Sequence, residues 1–241
     1  MNTFKRLLFA ALLACTFPVS ATLLLSANIN GTVFNCADQA ACDTNLAVGQ
    51  LAIADQTING VRIVGSSQIA FTGALNFLNT SSFQIINTLL APSQITLAIG
   101  DINFIGPANG FEASGSGTFQ NAIGSTITLL FYGDGTNQQG AESPNDLPGL
   151  QLATFSDVAG NAADAFSFNT AGAFTSGPFF SMTLGTTGTL AAWNGIVGQN
   201  PTLVGRSQTQ LVPQAVPEPG TVALAGLGLL ALFFVRRRKQ A

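Results

Sequence analysis

Apolar and neutral polar residues alternate with a period of two along much of this chain. The alternation is clearest in the segments 23–29, 95–99, 127–131, 166–168 and 180–184. Because successive side chains of a strand point to opposite faces of its sheet, each segment predicts a half-buried β-strand. The strands are short and turn residues separate them. The pattern therefore predicts a mainly β protein whose body is a single antiparallel β-sandwich of jelly-roll-like form.

The segments between these strands contain residues that favour turns. They are Asn59-Gly60, Gly115-Ser116-Gly117, Gly133-Asp134-Gly135 and Asn194-Gly195. Residues 82–90 instead place apolar side chains at helical spacing between Ser82, a suitable N-cap, and Pro92, which would end a helix. The β-branched pair Ile85-Ile86 favours a strand over the same residues, so both interpretations stay open. A last strand is expected within 199–215.

The N-terminus has the pattern of a secretory signal peptide. Two basic residues precede an apolar run that is too short to span a bilayer, and small residues follow at positions 19 and 21. We therefore expect a signal peptide over 1–21, with cleavage between Ala21 and Thr22. A second processing mode stays open, because the residues before Cys15 resemble a lipoprotein box in which Cys15 would be lipidated.

The C-terminus carries a second sorting pattern, in which a short proline-rich motif is followed by an uncharged run of 15 residues and then by a basic cluster. As a helix the run would cover about 22 Å, which flanking side chains can extend toward the roughly 30 Å of a hydrocarbon core. The basic cluster favours the cytoplasmic side of a membrane. The residues of the pattern are Val216, Pro217, Glu218, Pro219, Arg236, Arg237 and Arg238.

This combination resembles the PEP-CTERM sorting signal of Gram-negative bacteria, and the resemblance covers about 216–241. It implies that an exosortase-type membrane enzyme recognises Pro217, Glu218 and Pro219 and removes the hydrophobic span. It also implies a body that is periplasmic while the chain is transiently anchored in the inner membrane. The body would later reach the outer envelope, the cell surface or the extracellular matrix, in association with exopolysaccharide and biofilm. An ordinary tail anchor behind a proline-rich linker is the alternative.

The two ends divide the chain into four expected parts. These are a signal peptide at 1–21, a β-sandwich body at 22–212, a Pro-rich linker with the motif at 213–219, and a hydrophobic helix with a basic tail at 220–241. Between the two sorting signals, Arg62 and Arg206 are the basic residues, against ten acidic ones, which gives a net charge of −8. A body with so few cations cannot neutralise phosphates, and this excludes nucleic acid as a partner.

The missing residue types limit the chemistry of the body. The chain has no His and the body has no Lys, which excludes Ser-His-Asp triads, Schiff bases and most zinc sites. We therefore expect a non-enzymatic protein without a cofactor. Asp134, Glu142 and Asp146 fall in one predicted loop, 133–148. Three interpretations of these carboxylates stay open, namely a solvated acidic loop, a calcium site and the acid pair of a glycan-acting enzyme.

Two further pairs of residues are candidates for a structural or binding role. Cys36 and Cys42 are predicted to form a disulfide, because an exported chain meets an oxidising compartment, and the small loop would stabilise the fold by roughly 2 kcal/mol. Trp193 and Tyr132 are the single Trp and the single Tyr of the chain. An exposed aromatic ring can stack on a sugar, so they are candidates for a carbohydrate-binding module. Packing in the core or beside a turn is the competing interpretation of Trp193.

Overall fold

The computed structural model describes residues 23–72 and 75–213. The predicted signal peptide with its cleavage site at Ala21 and Thr22, Cys15 and the sorting motif with its hydrophobic run all lie outside the described residues. Over the part of the chain that is described, no helix is long and apolar enough to cross a membrane.

The described residues form twelve strands. Their bounds are β1 (Leu24–Ile29), β2 (Thr32–Ala37), β3 (Gln50–Ile58), β4 (Val61–Thr72), β5 (Leu75–Asn87), β6 (Ser93–Ile105), β7 (Ala108–Gln120), β8 (Thr126–Asp134), β9 (Leu150–Val158), β10 (Ala163–Ala173), β11 (Phe179–Leu190) and β12 (Thr202–Pro213). All five strands predicted from the period-two segments are confirmed, and the strand expected within 199–215 is β12.

The strands form two antiparallel six-stranded sheets. The first sheet has the order β2-β1-β6-β11-β8-β9, and the second has the order β10-β7-β12-β5-β4-β3. The chain passes between the sheets at most connections from β5 onward, so strands that follow one another in sequence usually lie in opposite layers. The predicted antiparallel β-sandwich is confirmed. We call the face of each sheet that packs against the other sheet its inner face, and the face that points away from the other sheet its outer face.

The core between the sheets is rich in phenylalanine. Phe131 of the first sheet and Phe168 of the second have ring centroids 5.3 Å apart. Phe155, also in the first sheet, stacks on the same Phe168 ring at 5.1 Å. Aromatic pairs of this geometry contribute about 0.5–1.5 kcal/mol beyond the burial of their apolar area. The inner residues of the predicted strands are buried here, including Leu129 and Phe180.

Glycine and phenylalanine are paired across neighbouring strands on the inner face of the second sheet. The pairs in register are Gly115–Phe168, Gly117–Phe166, Gly172–Phe111 and Gly205–Phe83. A Cβ atom built on Gly117 would lie 2.5 Å from Cζ of Phe166, so the ring occupies the space that a side chain at this position would need. Each glycine therefore makes room for a ring from the next strand.

The turn predicted at Gly115-Ser116-Gly117 is wrong, because these residues lie in the middle of β7. Both glycines face the core, where Leu129 of the opposite sheet fills the space over Gly115. The glycines thus satisfy a packing requirement rather than a turn, and Ser116 points to the outer face of the sheet.

The helical interpretation of residues 82–90 is also wrong. Phe83 and Ile85 are buried, whereas Gln84 and Ile86 between them are partly exposed, as expected for a strand within β5. The helical spacing is accidental, because Phe83 faces the core and Ile86, three residues later, lies on the opposite side of the strand. A β-bulge precedes this segment, with Ser81 as an extra residue between the partners of Ser66 and Ser67. Past the end of the strand, the apolar residues that completed the spacing belong to the loop before β6.

Candidate functional site

The predicted disulfide is confirmed. Cys36 and Cys42 are bonded, with their Cα atoms 5.8 Å apart, and they close a short loop after β2. Asp43 lies directly after the bridge and is buried, and its carboxylate accepts hydrogen bonds from the backbone N–H groups of Gln39, Asn45 and Ala52. The disulfide and this carboxylate together hold the loop that leads to β3.

Asp134, the first of the predicted loop carboxylates, stabilises the turn that follows β8. It is buried and accepts hydrogen bonds from the backbone N–H of Thr136 at 2.9 Å, from the hydroxyl of Thr136 and from the backbone N–H of Gln138 at 2.9 Å. Burial alone would raise the pKa of Asp134, but these hydrogen bonds outweigh it and lower the pKa below its usual value. The carboxylate is therefore held in its charged form by the loop itself.

The other two predicted carboxylates do not join Asp134 in a ligand group. Asp146 accepts a hydrogen bond from the backbone N–H of Glu142 at 3.1 Å, and the side chain of Glu142 is exposed. Across the described ranges, no three His, Cys, Asp or Glu side chains are close enough together to hold a metal ion. Asp134 and Asp146 thus accept hydrogen bonds within their own loop, and the three carboxylates do not form one ligand group.

The loop between β8 and β9, residues 135–149, folds over the outer face of the first sheet. Asn137 and Asn103 of β6 are joined by two hydrogen bonds, of 2.7 and 2.8 Å. Leu147 covers Gly185 of β11, since a Cβ atom there would lie 3.2 Å from Cδ1 of Leu147. Thr183 of β11 is almost fully buried beneath the same loop. This part of the outer face is therefore closed to a ligand.

Trp193 and Tyr132 are both partly exposed, but they lie at opposite ends of the first sheet. The indole Nε1–H of Trp193 donates a hydrogen bond to the carbonyl oxygen of Ile196 at 2.8 Å, within the loop after β11. The hydroxyl of Tyr132 donates a hydrogen bond to the side chain of Gln151 at 2.9 Å. Tyr132 pairs with Thr183, so about 20 Å of strand separates it from the end of β11 that leads to Trp193. The two rings do not form one sugar-binding platform, and each alone stays a candidate.

The outer face of the second sheet carries a groove that sequence analysis did not find. It has a volume of about 580 Å³ and crosses β5, β12, β7 and β10. Its floor contains a row of direct cross-strand partners, in which Asn79 pairs with Gln208, Gln208 with Ser114, and Ser114 with Asn169. Each strand of the four thus contributes one amide or hydroxyl side chain to the same line.

The polar groups of this row are available to a ligand as far as the described part of the chain is concerned. In the described residues, the side chains of Asn79, Gln208, Ser114 and Asn169 make no hydrogen bonds with other groups of the chain. Such side chains offer both donors and acceptors to a ligand. Arg206, one step along β12, is exposed, and its Nε–H donates a hydrogen bond to the hydroxyl of Ser116 at 3.1 Å.

A second hollow of about 400 Å³ continues the groove on one side. The two share Ser114, Asn169 and Gln208, so they form one continuous depression. Gln210 and Glu112 line the continuation, and Phe77 on β5 is the direct cross-strand partner of Gln210. Strand alternation puts Phe77 on this outer face, because its neighbour Leu78 is fully buried in the core.

The chain matches a family model described as the PEP-CTERM protein-sorting motif over residues 215–239. The resemblance found in the sequence is confirmed, and the chain carries this motif. It marks an exported protein with a C-terminal membrane-anchoring signal that is processed by an exosortase. The match covers the C-terminal segment alone, so it assigns no role to the β-sandwich.

No curated protein matches the chain. Among solved structures, the chain is similar to TmCBM61 in complex with β-1,4-galactotriose (10% identity, TM-score 0.33, covering 65% of this chain and 90% of that one). It is also similar to the adhesin domain of Epf from Streptococcus pyogenes (8% identity, TM-score 0.36, covering 79% and 61%). A third similar structure is TmCBM27, described for specific mannan recognition (6% identity, TM-score 0.30, covering 68% and 88%). Similarities this low carry no argument about function.

Proposed function

We propose that the chain is a non-enzymatic protein of the cell envelope or extracellular matrix that associates with exopolysaccharide. The observation that carries the proposal is the PEP-CTERM sorting motif at 215–239. A sorting signal of this kind delivers a body to the cell exterior, where polysaccharide is the surrounding material of a biofilm. The neutral polar surface of the body suits that surrounding, since Ser, Thr, Asn and Gln bond to hydroxyl groups without charge.

The proposed route uses both ends of the chain. The signal peptide over 1–21 exports the body and is cut between Ala21 and Thr22. The basic residues Arg236–Arg238 stay on the cytoplasmic side, so the body is periplasmic while the hydrophobic run anchors the chain. Exosortase then acts at Pro217-Glu218-Pro219, and the body moves to the cell surface or matrix.

The absence of catalysis is part of the proposal. The chain has no His, and the body has no Lys, so the general bases and nucleophiles left to it are mainly carboxylates. Asp134 is the buried carboxylate of the loop that sequence analysis singled out, and its hydrogen bonds to Thr136 and Gln138 keep it charged. A general acid for glycan hydrolysis needs the opposite, a raised pKa.

Delivery can be tested by changing the motif in the full chain. The double variant Pro217→Ala with Glu218→Ala should remain in the inner-membrane fraction, whereas the unmodified chain should reach the cell surface or the medium. Fractionation with immunoblotting and protease accessibility of intact cells measure the difference. The matched control is Pro213→Ala with Gln214→Ala, which removes a proline and a polar residue just before the matched segment. Equal surface display of all three chains would refute the proposed route.

A further inference from the structure

The groove on the outer face of the second sheet has the size and position of a ligand site. Its two connected parts, of about 580 and 400 Å³, each fall within the range of small-molecule sites. Within residues 23–72 and 75–213, no loop covers this row as residues 135–149 cover the first sheet, and Ser114 and Asn169 are exposed. A long, flexible polymer can therefore reach the row from the side.

The spacing of the row fits a repeating ligand. Asn79, Gln208, Ser114 and Asn169 stand on four adjacent strands, and adjacent strands lie about 4.8 Å apart. This interval is close to the length of one sugar unit in an extended chain. Successive sugars lying across the strands would each meet one amide or hydroxyl group of the protein.

The chemistry of the row suits hydroxyl groups. An amide side chain both donates and accepts, as a sugar hydroxyl does, and these amides have no partner within the described chain. The Nε–H of Arg206 donates to the hydroxyl of Ser116, and the terminal N–H groups of its guanidinium are further donors. Phe77, beside Gln210, offers a partly exposed ring against which the apolar face of a sugar can pack.

The charge of the protein argues against an acidic polymer. Arg206 and Glu112 are the charged side chains that line the described groove, and their charges offset each other. The body around them carries a net charge of −8, which repels a polyanion at low ionic strength. The ligand class that meets no electrostatic cost is an uncharged one.

We propose that this groove binds a neutral polysaccharide chain, with Asn79, Gln208, Ser114 and Asn169 as its hydrogen-bonding row. The inference rests on the proposed association with exopolysaccharide and names both the site and the class of polymer. It moves the sugar site away from Trp193 and Tyr132, the two rings that the sequence singled out.

Binding can be measured with the full chain in mild detergent, by affinity gel electrophoresis in dextran, galactan, mannan and hydroxyethylcellulose, with polygalacturonate as the acidic probe. The unmodified chain should be retarded by at least one neutral polymer and not by polygalacturonate. Gln208→Ala and Asn169→Ala should each weaken that binding about three- to tenfold, since each removes hydrogen bonds of ordinary strength. Gln208→Glu keeps almost the same side-chain shape and should weaken binding to the neutral polymer to a similar extent. It controls for any effect of the Gln208→Ala truncation on folding.

Two controls decide the location of the site. Gln84→Ala removes an amide from the same sheet outside the groove, and Trp193→Ala removes the ring outside it. Both should bind as the unmodified chain does, with unchanged far-UV circular dichroism. Loss of binding in Trp193→Ala, with full binding in Gln208→Ala, would overturn the location, and retardation by polygalacturonate alone would overturn the neutral class.

The outcomes also separate this inference from the proposed delivery. A chain that reaches the cell surface but is retarded by none of the neutral polymers overturns the groove and leaves the sorting route intact. A chain that binds a neutral polymer but stays in the inner membrane supports the groove and overturns the route.

Discussion

Gly117 is the position where the packing of the second sheet can be tested most directly. A Cβ atom there would lie 2.5 Å from Cζ of Phe166 and 2.6 Å from the carbonyl oxygen of Val204 on the neighbouring strand. The phenyl ring is the end of a side chain and can rotate aside. The carbonyl belongs to the backbone of β12, so relieving that contact requires the two strands to shift.

We expect Gly117→Ala to destabilise the fold by about 2 kcal/mol, in the range measured for overpacked cores. For a domain of this size the loss lowers the melting temperature by roughly 4–8 °C. The matched control is Gly65→Ala, also a glycine within a strand, where the nearest atom to a new Cβ is the carbonyl oxygen of Ser82 at 3.4 Å. This variant should be neutral, or more stable by about 0.5 kcal/mol, because alanine restricts the unfolded chain.

Urea unfolding followed by far-UV circular dichroism, with the disulfide intact, measures both variants. The midpoint for Gly117→Ala should fall while the slope stays constant, which indicates a loss of stability and not a change in the surface exposed. Equal midpoints for Gly117→Ala and Gly65→Ala would refute the reasoning. The pairing of Gly117 with Phe166 or the register of β7 would then be incorrect.

Two further predictions concern the loops. Asp134→Asn should cost about 1–3 kcal/mol at neutral pH, because the charged acceptor for Thr136 and Gln138 is lost. Because the folded state lowers the pKa of Asp134, the contribution of this carboxylate to stability is fully present above the unfolded pKa of about 3.9 and is lost as the pH falls through the folded pKa. The difference in urea midpoint between the variant and the unmodified chain should therefore disappear in acid. A difference that does not change with pH would contradict this prediction. Replacing both Cys36 and Cys42 with Ser should lower the free energy of unfolding by roughly 2 kcal/mol. Reducing the disulfide of the unmodified chain should lower its urea midpoint as much as the double replacement does. An unchanged midpoint would refute a stabilising bridge.

The strands could be predicted where burial alternates without interruption. Ile127, Leu129 and Phe131 are all buried, and the residues between them are all partly exposed, so the period of two is undisturbed in β8. In β5 the extra residue Ser81 shifts the alternation by one position, and the outward-facing Ile86 then follows the inward-facing Phe83 at helical spacing. A bulge depends on the pairing of two strands, and pairing is not visible in one segment alone.

The mistaken turn has a related cause. Gly-Ser-Gly is a turn signal when the glycines are needed for their backbone freedom. In β7 they are needed because Phe168 and Phe166 of the next strand, together with Leu129 of the opposite sheet, fill the space where side chains would lie. The partners are distant in sequence, so the packing reason for these glycines cannot be recognised before the strands are arranged.

The groove was missed for the same reason. Asn79, Ser114, Asn169 and Gln208 are spread over more than half of the chain, and each is an ordinary polar residue at an outward position of its strand. Only the register of four strands brings them into one row. The sequence could predict the neutral polar character of the surface, but the row requires the order of the strands in the sheet.

The acidic residues of this body serve mainly to hold its loops. In a body with two arginines, Asp55 pairs with Arg62, and most other acids have no cation to bind. Several of them accept backbone N–H groups instead, as Asp43, Asp134 and Asp164 do in the loops that they hold. Such hydrogen bonds favour the charged form and lower the pKa values of Asp43 and Asp134. A group of acids in one loop of such a chain therefore indicates how the loop is folded, whereas the amides of Asn79, Gln208 and Asn169 in the second sheet have no hydrogen-bond partner among the described residues.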